Sequence, residues 1–268
     1  MRLPRWMLIA LIGFIMVPAA RAVENIRIHD FDIQLNSDTG GIISLSHDSV
    51  GLICQTAPAD AGLLTLSYPF LQFTPMLLGA EYSDVAIESE GETIILRWSA
   101  LGPSRTHVPL PDGPVSGAVR LAPHADGKSL SLQAEVNNPT SFQVYQVLFP
   151  DLRGWRPMPS AEDTRLQLPD QVLTPLVGPV LPPDRDPFYP PYIWKQFAFS
   201  GSARWVRYGN EGSGVRIEQT SQPVNPVTQI LTHRDEADPS YLRIVWQHSH
   251  RIEPGQNWQS GEFLITPY

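Results

Sequence analysis

Aromatic rings set beside prolines are the residues of this sequence best suited to ligand chemistry. Trp155 follows Pro150-Asp151-Leu152-Arg153-Gly154, and Phe188, Tyr189, Tyr192 and Trp194 crowd the far end of the same stretch. A sugar stacks its apolar C–H face on such rings while polar groups at the rim fix its orientation. Trp155, Tyr189, Tyr192 and Trp194 are therefore the candidate carbohydrate-binding residues. The competing reading has the same rings plugging one end of a core. Asp151, Glu162, Asp163, Asp170, Asp184 and Asp186 cluster in this region as loop acids open to solvent. His248 and His250, two apart, would share a face of a strand. Zinc needs at least one further ligand, the sequence nominates none, and no metal is expected.

Other chemistry is missing from the motif inventory. Gly209-Asn210-Glu211-Gly212-Ser213-Gly214 has neither the Lys nor the following helix of a phosphate loop, and reads as a β-turn. There is no G-x-S-x-G elbow and no H-E-x-x-H. No D-x-D-x-D-G spacing supports calcium, and no cofactor is expected. With 19 basic against 27 acidic residues and a net charge of −8, nucleic acid is excluded as a partner, because phosphate binding needs a basic face.

The N-terminus reads as an address. Arg2 and Arg5 precede an apolar run from Trp6 to Val17, and Ala20-Arg21-Ala22 supplies small residues for a cleavage site before Val23. The run is about twelve residues, short of the roughly twenty that span a bilayer. Residues 1–22 are thus a predicted signal peptide, and no membrane span is expected after cleavage. Cleavage removes Arg2, Arg5 and Arg21 and no acid, taking the net charge from −8 to −11. Cys54 is the only cysteine, so no intramolecular disulfide can form. A secreted or periplasmic protein held together by its core alone is the expectation.

The elements that must position these residues are strands. Proline makes up 27 of 268 residues, which argues against long helices. Period-2 alternation runs through Ile26–Leu35, with a turn at 37–41 leading to Ile42–Leu45. Val85–Glu88 and Thr93–Trp98 read as a second hairpin. Ala118–Leu121 and Leu130–Val136 around Asp126-Gly127 read as a third. Gln143–Phe149 continues the pattern. An irregular, proline-rich region then follows at about 150–191 with eleven prolines, a strand at Thr164–Leu168 hidden in it. Alternation returns after Trp194, and Trp98, Trp205, Trp246 and Trp258 read as core. A dozen or more strands with few or no helices imply an all-β fold, a large two-sheet antiparallel β-sandwich over 23–268.

Four segments carry a resemblance. FDIQLNSDTGGIISLSHDSVGL, with Asp38, Thr39, Gly40, Gly41 and Gly51, resembles the opening of large sandwich domains in glycoside-hydrolase-like proteins. SLSLQAEVNNPT, with Asn137 ending a strand, QVLFPDLRGW and IEPGQNWQSGEFLITPY are similar to further parts of them. These domains form the galactose-mutarotase-like supersandwich class and precede a catalytic barrel. The resemblance implies a fold, and a glycan or polysaccharide as partner. It transfers no catalytic His/Glu pair to particular positions. No α/β pattern follows before Tyr268, so a catalytic domain would be a separate partner. The leading expectation is an exported domain that binds or positions glycan and is not catalytic alone. The rivals are a glycosidase, epimerase or lyase using a His and carboxylates in a sheet groove, and a structural domain without ligand.

Overall fold

The structure, a computed structural model, describes residues 23–58, 60–68, 76–79, 84–103, 114–158, 160, 163–168, 171–173, 195–198, 205–221, 228–234, 242–248 and 251–268. The described residues form 21 strands and no helix, in an antiparallel sheet of eleven strands and a second of ten. Among the described residues there is no helix long and apolar enough to cross a membrane. The two-sheet all-β sandwich expected from the alternation is the fold observed.

Alternation decides which residues enter the core. In Leu130–Asn138, Leu130, Leu132, Ala134 and Val136 are buried while Gln133, Glu135 and Asn137 are exposed. Its hairpin partner Ser116–Pro123 runs back in register, Leu121 opposite Leu132. The turn between them uses Gly127 at φ +73°, a conformation glycine adopts without steric cost. Asp126 caps that turn: its carboxylate accepts the N–H groups of Lys128 and Ser129 and the Ser129 hydroxyl. Burial pushes the Asp126 carboxyl up, but these hydrogen bonds outweigh it and hold the group well below the usual carboxylate range.

Aromatic contacts join the two sheets. Trp155 meets Tyr208 edge-on at 5.0 Å, and Phe263 meets Phe149 at 5.7 Å and Trp246 at 5.6 Å. Trp98 donates its indole N–H to the Thr39 carbonyl at 2.9 Å, tying one sheet to a turn of the other. Trp98, Trp246 and Trp258 are core residues as expected. Trp205 is not: its neighbours Val206 and Tyr208 point inward, leaving Trp205 half-buried on the opposite face of the strand. Cys54 is a buried free thiol, its pKa pushed up to about 12 by burial.

Two boundaries differ from the sequence reading. The opening alternation is two strands, Val23–Ile28 and Phe31–Asn36, because the chain reverses at His29 (φ 50°) and Asp30. The irregular region begins later than Pro150, since strand Gln146–Trp155 continues through it. Proline is tolerated there because the ladder to Leu242–His248 shifts register between Leu148 and Asp151. Arg165–Leu168 is a strand as expected, paired with Gln171–Leu173.

Candidate functional site

The central strands of the larger sheet lack the alternation seen elsewhere. Gln146–Trp155 and residues 244–248 are buried on both faces. Phe149, Leu152, Trp155, Ile244 and Trp246 belong to the inter-sheet core, whereas Leu148 and Val245 form a separate small cluster on the outer face. On that outer face polar groups are buried. Asp151, opposite Val245, is fully enclosed, and Arg153 lies beside it with its side chain 11% exposed.

Asp151 and Arg153 are two apart on one strand and so share a face. The Arg153 Nη2 donates to Asp151 Oδ2 at 2.7 Å, with its Nε at 3.3–3.4 Å from both carboxylate oxygens. Thr65 adds a longer hydroxyl contact to Oδ2 at 3.4 Å. Segment 60–65 closes around the pair. The Asp60 carbonyl accepts from Arg153 Nη1 at 3.0 Å, and the Leu63 carbonyl accepts the Asp151 N–H at 3.0 Å. Gly62 makes room for the guanidinium, because a Cβ there would sit 2.6 Å from Arg153 Cζ. Gly154, at φ +74°, supports the bulge that follows, and a Cβ there would run into the Gln55 carbonyl. Asp151 thus holds and orients Arg153, and Arg153 is the member that reaches the surface.

The ladder extends this row. Arg153 is paired with Arg243, and Arg243 with His233 on Thr228–Arg234, so three basic positions align across three adjacent strands. A guanidinium offers up to five N–H donors in a fixed plane, a geometry suited to hydroxyls and carboxylates of a ligand lying on the sheet.

The residues nominated from sequence fall elsewhere. Trp155 is fully buried, its indole N–H donates to the Leu152 carbonyl at 3.1 Å, and its ring packs on Tyr208. It is a core residue with no face to offer a sugar, because the strand continues past Pro150 and turns it inward. Tyr189, Tyr192 and Trp194 lie outside the described residues, as do Glu162, Asp170, Asp184, Asp186 and His250. Asp163, an exposed turn residue, accepts the Ser160 hydroxyl. His248 is buried on the core side, its Nε2 2.8 Å from the Phe149 carbonyl. It therefore lies on the other side of the sheet from Asp151. Among the described residues no group of three His, Cys, Asp or Glu could hold a metal ion. Asp151 and Arg153 were missed because a strand acid next to proline reads as a loop acid; the Asp-x-Arg spacing was the available signal.

The class of fold is clear from comparison with solved structures. The chain has a galactose-mutarotase-like fold. Over 93% of its length it superposes on 96% of the Slr1438 protein of Synechocystis sp. PCC 6803, with TM-score 0.62 and 10% identity. A galactose mutarotase related enzyme from Lactobacillus acidophilus matches 92% of this chain over 97% of its own (TM-score 0.58, 13% identity). A galactose mutarotase-like protein from Clostridium acetobutylicum matches 91% over 94% (TM-score 0.57, 11% identity). At these identities the likeness is one of fold. No family model matches the chain, and no curated protein matches it by sequence.

Proposed function

We propose that this protein is exported and binds or positions a saccharide on the outer face of its larger sheet, with Arg153 donating to the ligand and Asp151 positioning Arg153. The supporting observation is the enclosed Asp151–Arg153 pair on the outer face of the larger sheet. A buried ion pair is weak as a stabilising device, so its presence favours a role in recognition. The mutarotase-like fold supports the carbohydrate class, and fold alone does not fix chemistry. A catalytic partner supplied separately fits this reading, and so does export by residues 1–22.

The test is titration with a panel of mono- and oligosaccharides followed by calorimetry. Arg153→Lys keeps the charge beside Asp151 but loses the planar donor fork, and should weaken binding by about tenfold, one charge-assisted hydrogen bond. Silence across the panel, or binding indifferent to Arg153→Lys, overturns the reading. A sugar epimerase is the second reading, which the mutarotase-like fold keeps open. Saturable acceleration of anomer interconversion would establish it in place of simple binding.

A further inference from the structure

The outer face of the second sheet is open, and one part of it is neither charge-balanced nor apolar. Arg207, exposed on Trp205–Gly209, lies over two rings, with its Cζ 5.7 Å from the Trp205 centroid and 5.1 Å from that of Tyr268. On the next strand Arg216 lies 5.2 Å from the same Trp205 ring. Register sets Arg207 directly opposite Arg216, and Trp205 opposite Glu218. Like charges placed opposite each other on neighbouring strands are destabilising. Glu218 answers only one of them, pairing with Arg216 at 2.8 Å. The Arg207 guanidinium has no hydrogen bond or ion pair with any described residue. Gln167 and Thr266 extend the row on either side, Gln167 opposite Arg207 and Thr266 opposite Arg216.

This arrangement leaves one uncompensated cation between two aromatic faces on a chain of net charge −8. An arginine over aromatic rings is held in place by cation–π attraction and, being weakly hydrated, gives up little on meeting an anion. Trp205 is half-buried and fixed by its strand, while the Tyr268 hydroxyl donates to the Asn210 carbonyl at 3.2 Å, which orients that ring.

We propose that Trp205, Arg207, Arg216 and Tyr268 form a second saccharide site, specific for a sugar that carries a carboxylate. Arg207 takes the carboxylate, and the Trp205 and Tyr268 rings beneath it hold its guanidinium in position. The class of ligand rests on the carbohydrate reading above, whereas the position and the charge preference rest on this patch alone. One unpaired cation matches an isolated uronate better than a dense polyanion, which the acidic chain as a whole repels.

The experiment measures binding of a galactose oligosaccharide carrying a single galacturonate, the matched neutral galactose oligosaccharide and a single-stranded DNA oligonucleotide to the whole protein. The acidic sugar should bind about tenfold or more tightly than the neutral one, the worth of a single charge-assisted pair, and less tightly as salt rises. Arg207→Gln should remove that preference, and Arg207→Lys should retain part of it. Absence of saturable binding, equal binding of the neutral sugar, indifference to Arg207→Gln, or DNA binding as tight as the acidic sugar each overturns the site. An acidic-sugar response lost in Arg153→Lys and kept in Arg207→Gln would also overturn it while leaving the first site standing. A panel-wide absence of saccharide binding at both faces removes both.

Discussion

Arg153→Met keeps most of the side-chain length and removes the guanidinium that donates to the enclosed Asp151 carboxylate. Breaking one half of a buried pair costs about 3–5 kcal/mol. For a chain of this size that lowers Tm on the order of 10 °C. Replacing both partners by apolar residues of similar volume, as in Asp151→Leu with Arg153→Met, removes the buried charge and should return stability to within about 1 kcal/mol of the parent. The double-mutant cycle in urea should therefore show a coupling of at least about 2 kcal/mol, opposite in sign to the single loss. Saccharide binding should be absent in the single and the double variant alike. A double variant as unstable as the sum of its singles would refute the view that the pair is retained for recognition.

Other perturbations probe the supports. Gly62→Ala places a Cβ against the Arg153 guanidinium and displaces it from the buried pair with Asp151; stability should fall in the direction of Arg153→Met, and saccharide affinity should fall as in Arg153→Lys. Gly154→Ala forces φ +74° on an L-residue and drives its Cβ into the Gln55 carbonyl; denaturant titration should show a loss of about 2 kcal/mol or more. His47 is kept neutral mainly by burial, which lowers its pKa against the attraction of Asp30 and Asp48. Its contribution should be complete above the unfolded value of about 6.5 and fall away as pH drops below it, and His47→Gln should flatten that slope in pH-dependent unfolding. N-terminal sequencing of the mature protein should begin at Val23, and retention of Met1 would refute the signal peptide.

Where a strand has one wet face, period 2 marked it without ambiguity. Leu130–Asn138 and its Asp126-Gly127 turn are legible because Gln133 and Glu135 must face water while Leu132 and Ala134 must not. Gln146–Trp155 was only half legible, since a strand covered on both faces loses the alternation that would announce it, and Pro150 reads locally as a break. That hid Asp151 and Arg153 and turned Trp155 into an apparent surface platform. Trp205 went wrong the other way. Its type suggested core, but parity with Arg207 rather than Val206 decides its face, and parity is visible only once the strand's register is known.

The two sheets meet solvent differently. The second sheet keeps ordinary amphipathic strands, so its exposed charges cost little and can be exchanged for contacts to an external ligand, as Arg207 invites. In the larger sheet, polar groups are enclosed on the outer face of the central strands, where each is expensive unless paired. A sandwich held by its core alone gains nothing from such groups in stability, because an apolar substitution there would serve at least as well. Their placement is intelligible if the larger sheet's outer face orients Arg153 for a ligand, with Gly62 and the Asp60 carbonyl shaped around that side chain rather than around the fold.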